Sequence, residues 1–314
     1  MKMHATQMKW GTVFGVIILV LVLYPLVAQR YWMHVAITTF YYVLLAVSWD
    51  ALAGYTGQFS FGHAVFASIG AYIHAMLMAY AGVPPMISVI LGAIFSCVVS
   101  MAIGAVCVKM SGAYLALTTL AFSEIVRLIL INEDQWTRGP RGLIVPPLFK
   151  GQNIYNYYYL MFIVTILVII VLYRILYSPT GLIFKSLMDD ELAASVLGVD
   201  VVKQRLYAFS LAGLIAGLAG ALYSSYIVVI TPSLGALSET FNAISMSVIG
   251  GMGTVVGALI GAPLLYVSAE ILRQYGTLRY LIQGLLVILV VRFAPEGIVG
   301  LVKRAWESLK GRKR

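Results

Sequence analysis

Few residues of this chain carry chemistry, and their spacing limits what they can do. Glu124 and Arg127 lie one helical turn apart, as do Glu270 and Arg273, so each acid can neutralise its base on one helix face. Charges inside apolar segments are expensive and otherwise mark solute pathways. Two readings of Glu124–Arg127 therefore stand: a self-neutralising pair, or part of a path for a polar solute. Asp50 follows Trp49 at the end of an apolar run, where it is expected to reach water. His34 and His74 are lone residues near run ends and read as locally hydrogen-bonded. His63 reads as a buried hydrogen-bonding imidazole rather than a proton carrier. Cys97 and Cys107 share one run, and a helix would separate them by about 15 Å, too far for a disulfide. No His, Cys and carboxylate grouping has metal-ligand spacing, no nucleophile stands by a base, and there is no Gly-x-x-x-x-Gly-Lys-Ser/Thr phosphate loop. Enzyme chemistry is not expected of this chain, nor is nucleotide held through that motif.

A glycine-rich stretch, Gly54-Tyr-Thr-Gly57-Gln58-Phe-Ser-Phe-Gly62-His63, separates two apolar runs. Its glycines disfavour a continuous helix. Broken backbone at membrane depth is tolerated only where it is buried or lines a cavity, and such breaks border transport sites. Gly54, Gly57, Gln58, Gly62 and His63, with Glu124 and Arg127, are thus candidates for a translocation path, with close packing by small residues as the competing reading. Gly253, Gly257 and Gly261 are four apart, as are Gly213 and Gly217, and here close helix packing is the favoured reading.

The stretch 178–205 is the one sizeable inner segment before the C-terminal tail. Ser186 with Asp189 three residues on is a helix-start pattern. Asp189, Asp190 and Glu191 would occupy the first turn, where the helix dipole favours negative charge. Met188, Leu192 and Val196 recur every four residues as one apolar stripe, and Gly198 is placed to stop the helix. A short capped helix with an apolar face is expected there, resting on the membrane or docking on a partner.

The elements that must position these residues are membrane spans. Of 314 residues, 61% are apolar and 11% charged, against roughly 45–50% and about 25% in soluble domains; mean hydropathy is +0.94. A soluble globule, a disordered tail and a disulfide scaffold are excluded. Runs near the ~20 residues a bilayer requires fall at 11–28, 33–49, 61–81, 86–108, 112–131, 155–177, 206–230 and 280–298. The glycine-broken stretch 241–272 reads as two spans or a re-entrant pair. The runs do not alternate as barrel strands would. Lys2 and Lys9 before the first run could announce a signal peptide, but the run is long and Leu26 is no small cleavage residue, so an uncleaved helix is expected.

Thirteen Lys and Arg (2, 9, 109, 174, 185, 203, 205, 303, 304, 310 and 312–314) fall on one side, against six (30, 138, 141, 150, 273, 279) on the other. Basic residues mark the cytoplasmic side, so both termini are expected inside, with 132–154 as an outer loop. Net charge +9 reflects this marking rather than a nucleic-acid surface. The expectation is a single all-α polytopic domain over 1–314, with ten crossings, or eight if 241–272 is re-entrant.

Several stretches together resemble the permease of branched-chain amino-acid ABC transporters: Gly54–Ala64, Gly112-Ala-Tyr-Leu-Ala-Leu-Thr-Thr-Leu-Ala-Phe-Ser-Glu-Ile-Val-Arg127, Gly139-Pro-Arg-Gly-Leu143, Asp189–Gly198, Gly213–Leu222 and Phe293-Ala-Pro-Glu-Gly-Ile-Val-Gly300. The resemblance runs in order from about 40 to 303 and is greatest to the second of the two paired permeases. Arg141 and Thr137-Arg138 depart from the pattern in the outer loop. The resemblance implies a multi-pass protein of the bacterial inner membrane that takes branched-chain amino acids from an external or periplasmic binding protein. It further implies a second homologous permease and two cytoplasmic ATPase subunits that hold the ATP and Mg, with no cofactor in this chain. The segment Met188–Gly198 would be the coupling helix, with Glu191, Ala193, Ala194 and Gly198 matching the family's Glu-x-Ala-Ala pattern and its glycine. Related permeases carry urea or short amides, and an ion-coupled secondary transporter is the reading from another class.

Overall fold

A computed structural model describes Gly15 and residues 18–304, save 150, 152, 277, 295 and 302. The expected start of the first span, Lys2, Lys9, Lys150 and the basic tail 310–314 lie outside the described residues. What is described is helical apart from one two-residue strand pair: α1 (Ile18–Val27), α2 (Arg30–Thr56), α3 (His63–Ala81), α4 (Pro85–Cys107), α5 (Gly112–Asn132), β1 (Leu143–Ile144), α6 (Ile154–Leu176), α7 (Pro179–Asp189), α8 (Glu191–Val196), α9 (Val201–Ile227), β2 (Val229–Ile230), α10 (Leu237–Gly250), α11 (Val255–Ile271) and α12 (Leu278–Phe293). Eight described helical stretches are long and apolar enough to cross a membrane. The chain is an all-α polytopic membrane protein, as its composition requires.

The centre is α2, which is buried along nearly its whole length after Met33. Beside it α3, α4 and α9 pack closely because small residues face one another. A Cβ at Gly220 would land on the Ala67 carbonyl of α3, and one at Gly217 on Ser96 of α4. In lipid, where tails are as apolar as leucine, such close approach and interhelical hydrogen bonds replace the hydrophobic drive. Accordingly Ser96 donates to the Phe66 carbonyl (2.8 Å), Ser100 to that of Phe209, and His74 bridges Ser88 (2.8 Å) and Ser225 (2.6 Å). The later glycine spacing is likewise packing, since Cβ atoms at Gly257 and Gly261 would strike Gly251 and Met246 carbonyls.

Three features of the boundaries bear on the site. The second span is not 33–49: it runs from Arg30 to Thr56, so Gly54 is helical and the break covers 57–62. Tertiary packing overrides glycine's weak propensity, because Gly54 lies against Asp50 and the Gly253 backbone with no room for a side chain. The break begins at Gly57, whose left-handed φ of 70° ends α2 and which a residue with a Cβ would adopt only at a cost. The stretch 241–272 divides at 251–254 into α10 and α11. α10 has 14 residues, about 21 Å at 1.5 Å each, short of the ~30 Å core. It begins part-way down the bundle, where Tyr42 of α2 donates to Glu239 (2.8 Å) and the Ala64 amide to Thr240 (3.0 Å).

The third feature is the helix expected from Ser186 to Gly198, which is two helices. α7 is capped by Ser178, whose side chain accepts from the Thr180 amide, and it already contains Ser186. The chain then kinks at Asp190 (φ −156°), which caps α8 by accepting from the Ala193 amide. Asp189 closes α7 and Asp190 precedes α8, so neither occupies the first turn of one continuous helix; Glu191 alone keeps that place. Pro179 sets the earlier start, since it is well suited to a first helical position.

Candidate functional site

The loop 178–205 presents α8 outward from the bundle. Leu192 is 79% exposed and Val196 86%, with Leu197 beside them and Met188 half as exposed at the end of α7. Ala193 is exposed too, whereas Ala194 is buried on the inner side of the helix. Gly198 stops the helix as expected: its φ is 90°, and the Val199 amide reaches back to the Ala194 carbonyl (3.1 Å). The apolar stripe thus exists, but it spans a kink and joins two helices.

The arm is fastened to the bundle at two points. Arg205, in the first turns of α9, is buried and donates to Glu191 (2.6 Å) and to the carbonyls of Val108 and Met110 in the α4–α5 turn. A guanidinium fork suits this because its several donors diverge from one rigid plane. Lys185 of α7 stands over the Tyr55 ring, 5.7 Å from its centroid. Met188 meanwhile packs where a Cβ on Gly57 would be 3.6 Å away. In the sequence Arg205 is only a basic residue marking a side; no local spacing links it to Glu191, fourteen positions earlier.

Asp50 does not reach water. Its carboxyl is buried and accepts from Ser247 Oγ (2.9 Å) and the Gly253 amide (2.8 Å). It thereby holds the unwound segment 251–254 against α2, where Gly54 lets the two backbones touch. The helix end that the sequence suggested is displaced inward because α2 continues six residues further, to Thr56.

The residues singled out around the first break fall into two groups. Gly54, Gln58, Gly62 and His63 are buried in protein. Gln58 donates to Thr56 Oγ1 (2.8 Å), Gly62 leaves no room beside the Thr119 carbonyl, and His63 Nε2 lies 2.7 Å from Ser48 Oγ. Ser48 Oγ also lies 2.9 Å from the Leu45 carbonyl. Gly57 is partly exposed. Glu124 and Arg127 form a bidentate pair, Nε to Oε2 at 2.9 Å and Nη2 to Oε1, with both side chains part-exposed on α5. At the opposite end of α2, Arg273 donates to Glu270 (2.9 Å), and Tyr31 joins them at 2.5 Å. His34 meets the Tyr226 hydroxyl at 2.9 Å.

Comparison with known proteins places these features in context. The family described as "Branched-chain amino acid transport system / permease component" matches residues 31–291. The high-affinity branched-chain amino acid transport system permease protein LivM of Escherichia coli is 28% identical over 92% of this chain and 75% of its own length. LivM of Salmonella typhimurium is 27% identical over 91% and 74%. The permease LivH of Escherichia coli is 27% identical over 82% of this chain and 91% of its own. No solved structure matches the chain.

Proposed function

The chain belongs to the family of branched-chain amino acid transport permease components, and from that premise we propose that it works as one of two permeases of an ATP-driven importer. It is a multi-pass membrane permease for branched-chain amino acids, which an external binding protein would deliver as leucine, isoleucine or valine. The hydrolysis of ATP belongs to cytoplasmic partner subunits, which carry the nucleotide and Mg. The observation that carries this reading is α8: an exposed apolar helix held outside the spans and pinned through Glu191 to α9 and the α4–α5 turn. A surface-resting helix needs no such fastening, whereas a helix that must transmit force from a docked subunit does. Leu192 and Val196, with Met188 at the end of α7, are the contact residues, Asp190 and Gly198 bound α8 at its two ends, and Glu191 with Arg205 is its anchor.

The solute would pass beside the first break and the Glu124–Arg127 pair, where partly exposed polar groups meet unwound backbone. Uptake of radiolabelled leucine into proteoliposomes holding the complete complex is expected to require internal ATP and loaded binding protein. Uptake driven by an imposed proton or sodium gradient without ATP would defeat the proposal. Uptake of urea with leucine ignored would keep the mechanism and replace the substrate.

The loop 178–205 must face the cytoplasm for this to work, as the thirteen-to-six basic asymmetry predicts. Ser195→Cys on α8 and Asn153→Cys at the start of α6 both place a thiol on an exposed position. In sealed cells an impermeant maleimide is expected to label the second and not the first. Labelling of Ser195→Cys from outside would reverse the orientation and remove the docking argument.

A further inference from the structure

Two outward faces of the described helices are apolar. On α4 every described exposed residue is apolar, including Ile90, Ile94 and Val98, while Ser88, Ser96 and Ser100 are all turned inward. Along the middle of α6 the exposed residues, among them Ile163 and Leu167, are again apolar. The face formed by α5, the break 57–62 and the start of α10 instead carries an ion pair part-way along a span. These three are contiguous: the Phe61 amide donates to Thr119 Oγ1 (3.0 Å), the Phe61 and Phe241 rings lie 5.6 Å apart, and Ser123 reaches the Gly235 carbonyl.

This face exposes Ser238 and Phe241 on α10, the part-exposed Glu124–Arg127 pair and Leu117 on α5, and the part-exposed, unwound residue Phe61 of the break. Glu124 lies twelve residues into the 21-residue α5, about 18 Å along it, hence near mid-depth. An ion pair there is costly against hydrocarbon, and non-helical backbone at such depth is tolerated only against protein or water. Such a surface does not belong to the lipid boundary.

We infer that the α5–break–α10 face is the surface on which the second, homologous permease packs, with the Glu124–Arg127 pair enclosed at the seam between the two. The inference rests on the reading of this chain as one of two permeases. The occupant is argued from two observations. The ion pair part-way along α5 calls for protein at membrane depth rather than for a soluble partner. In addition, this chain resembles both LivM and LivH of Escherichia coli, two permease proteins of a branched-chain amino acid transport system.

The test places a benzophenone photo-crosslinking side chain at Phe241, or at Leu117 if that variant fails to assemble, with Ile94 on α4 as the lipid-facing control. All are made in the complete complex in its membrane. Irradiation is expected to join Phe241 or Leu117 variants to the second permease, identified by mass, and to leave the Ile94 variant without a protein adduct. Adducts of two copies of this chain, adducts only from Ile94, or none from either test site would overturn the inference. ATP-driven leucine uptake is read on the same membranes. Adduct without uptake would defeat the transport reading and keep the face; uptake without adduct would do the reverse.

Discussion

Leu192→Asp is expected to release the ATPase subunits while leaving the permease folded. In the free chain Leu192 is among the most exposed of the large apolar residues, so the substitution removes nothing from the bundle. At a docked interface the same carboxylate would be buried unpaired, which costs about 3–5 kcal/mol, or roughly 150- to 5,000-fold in affinity. Co-purification of ATPase with the tagged permease should fall accordingly, and ATP hydrolysis should no longer respond to loaded binding protein. Asp189→Asn is the contrast. Asp189 closes α7, at the negative end of its dipole, so neutralising it relieves a repulsion of about 0.3–1 kcal/mol and should change coupling little. A Leu192→Asp complex that keeps its ATPase and its stimulation would mean that α8 is not the docking element.

Asp50→Ala is expected to cost more stability than any substitution on the exposed arm. It strands the buried Ser247 hydroxyl and the part-buried Gly253 amide, which both end on one carboxyl oxygen. Each orphaned donor costs about 1–3 kcal/mol, and α10 and α11 lose what holds their shared unwound segment to α2. The melting temperature of the purified complex should drop by several degrees, with leucine uptake falling in parallel. Asp50→Asn keeps a side-chain carbonyl oxygen in place and should recover most of both. Equal melting temperatures for Asp50→Ala and the parent would show that the segment is held by something else.

What the sequence made legible follows the range of each physical signal. Apolar runs report spans because hydropathy is local and summed over twenty residues, and α3, α4, α5 and α6 begin and end within two residues of their runs. Spacing within one helix was equally readable: Glu124–Arg127 and Glu270–Arg273 pair as their separation requires. Gly198 announced a helix stop because a left-handed residue after an apolar stripe has few other uses. Contacts between elements were not readable. Gly54 looked like a helix breaker because its reason, the Gly253 backbone, lies some two hundred positions away. Asp50 looked solvated because nothing local marks Ser247 as its donor. Arg205 looked like a topology marker because one guanidinium can serve two roles, and only the fold reveals the second. Ser186 drew attention as a cap because it has the right neighbours, yet Ser178 before Pro179 has better ones.

The hydrogen bonds that join α3, α4 and α9 divide the protein into parts that can bend and a part that cannot. His74 touches both neighbours at once, and Ser96 and Ser100 reach carbonyls on facing helices. In hydrocarbon no water stands ready to replace a broken partner, at several kcal/mol per group, so sliding these helices apart would be far dearer than in a soluble bundle. The trio must travel as one body. Freedom is left to the joints where the ladder is already interrupted: 57–62, the kink at Asp190, and 251–254. These three lie along a single line of contact, from Met188 on Gly57 to Gly54 on Gly253. A push on the arm would therefore divide: through Glu191 and Arg205 it moves the stiff trio as a body, and through Gly57, Gly54 and Gly253 it bends the joints on which the half-length helix α10 hangs.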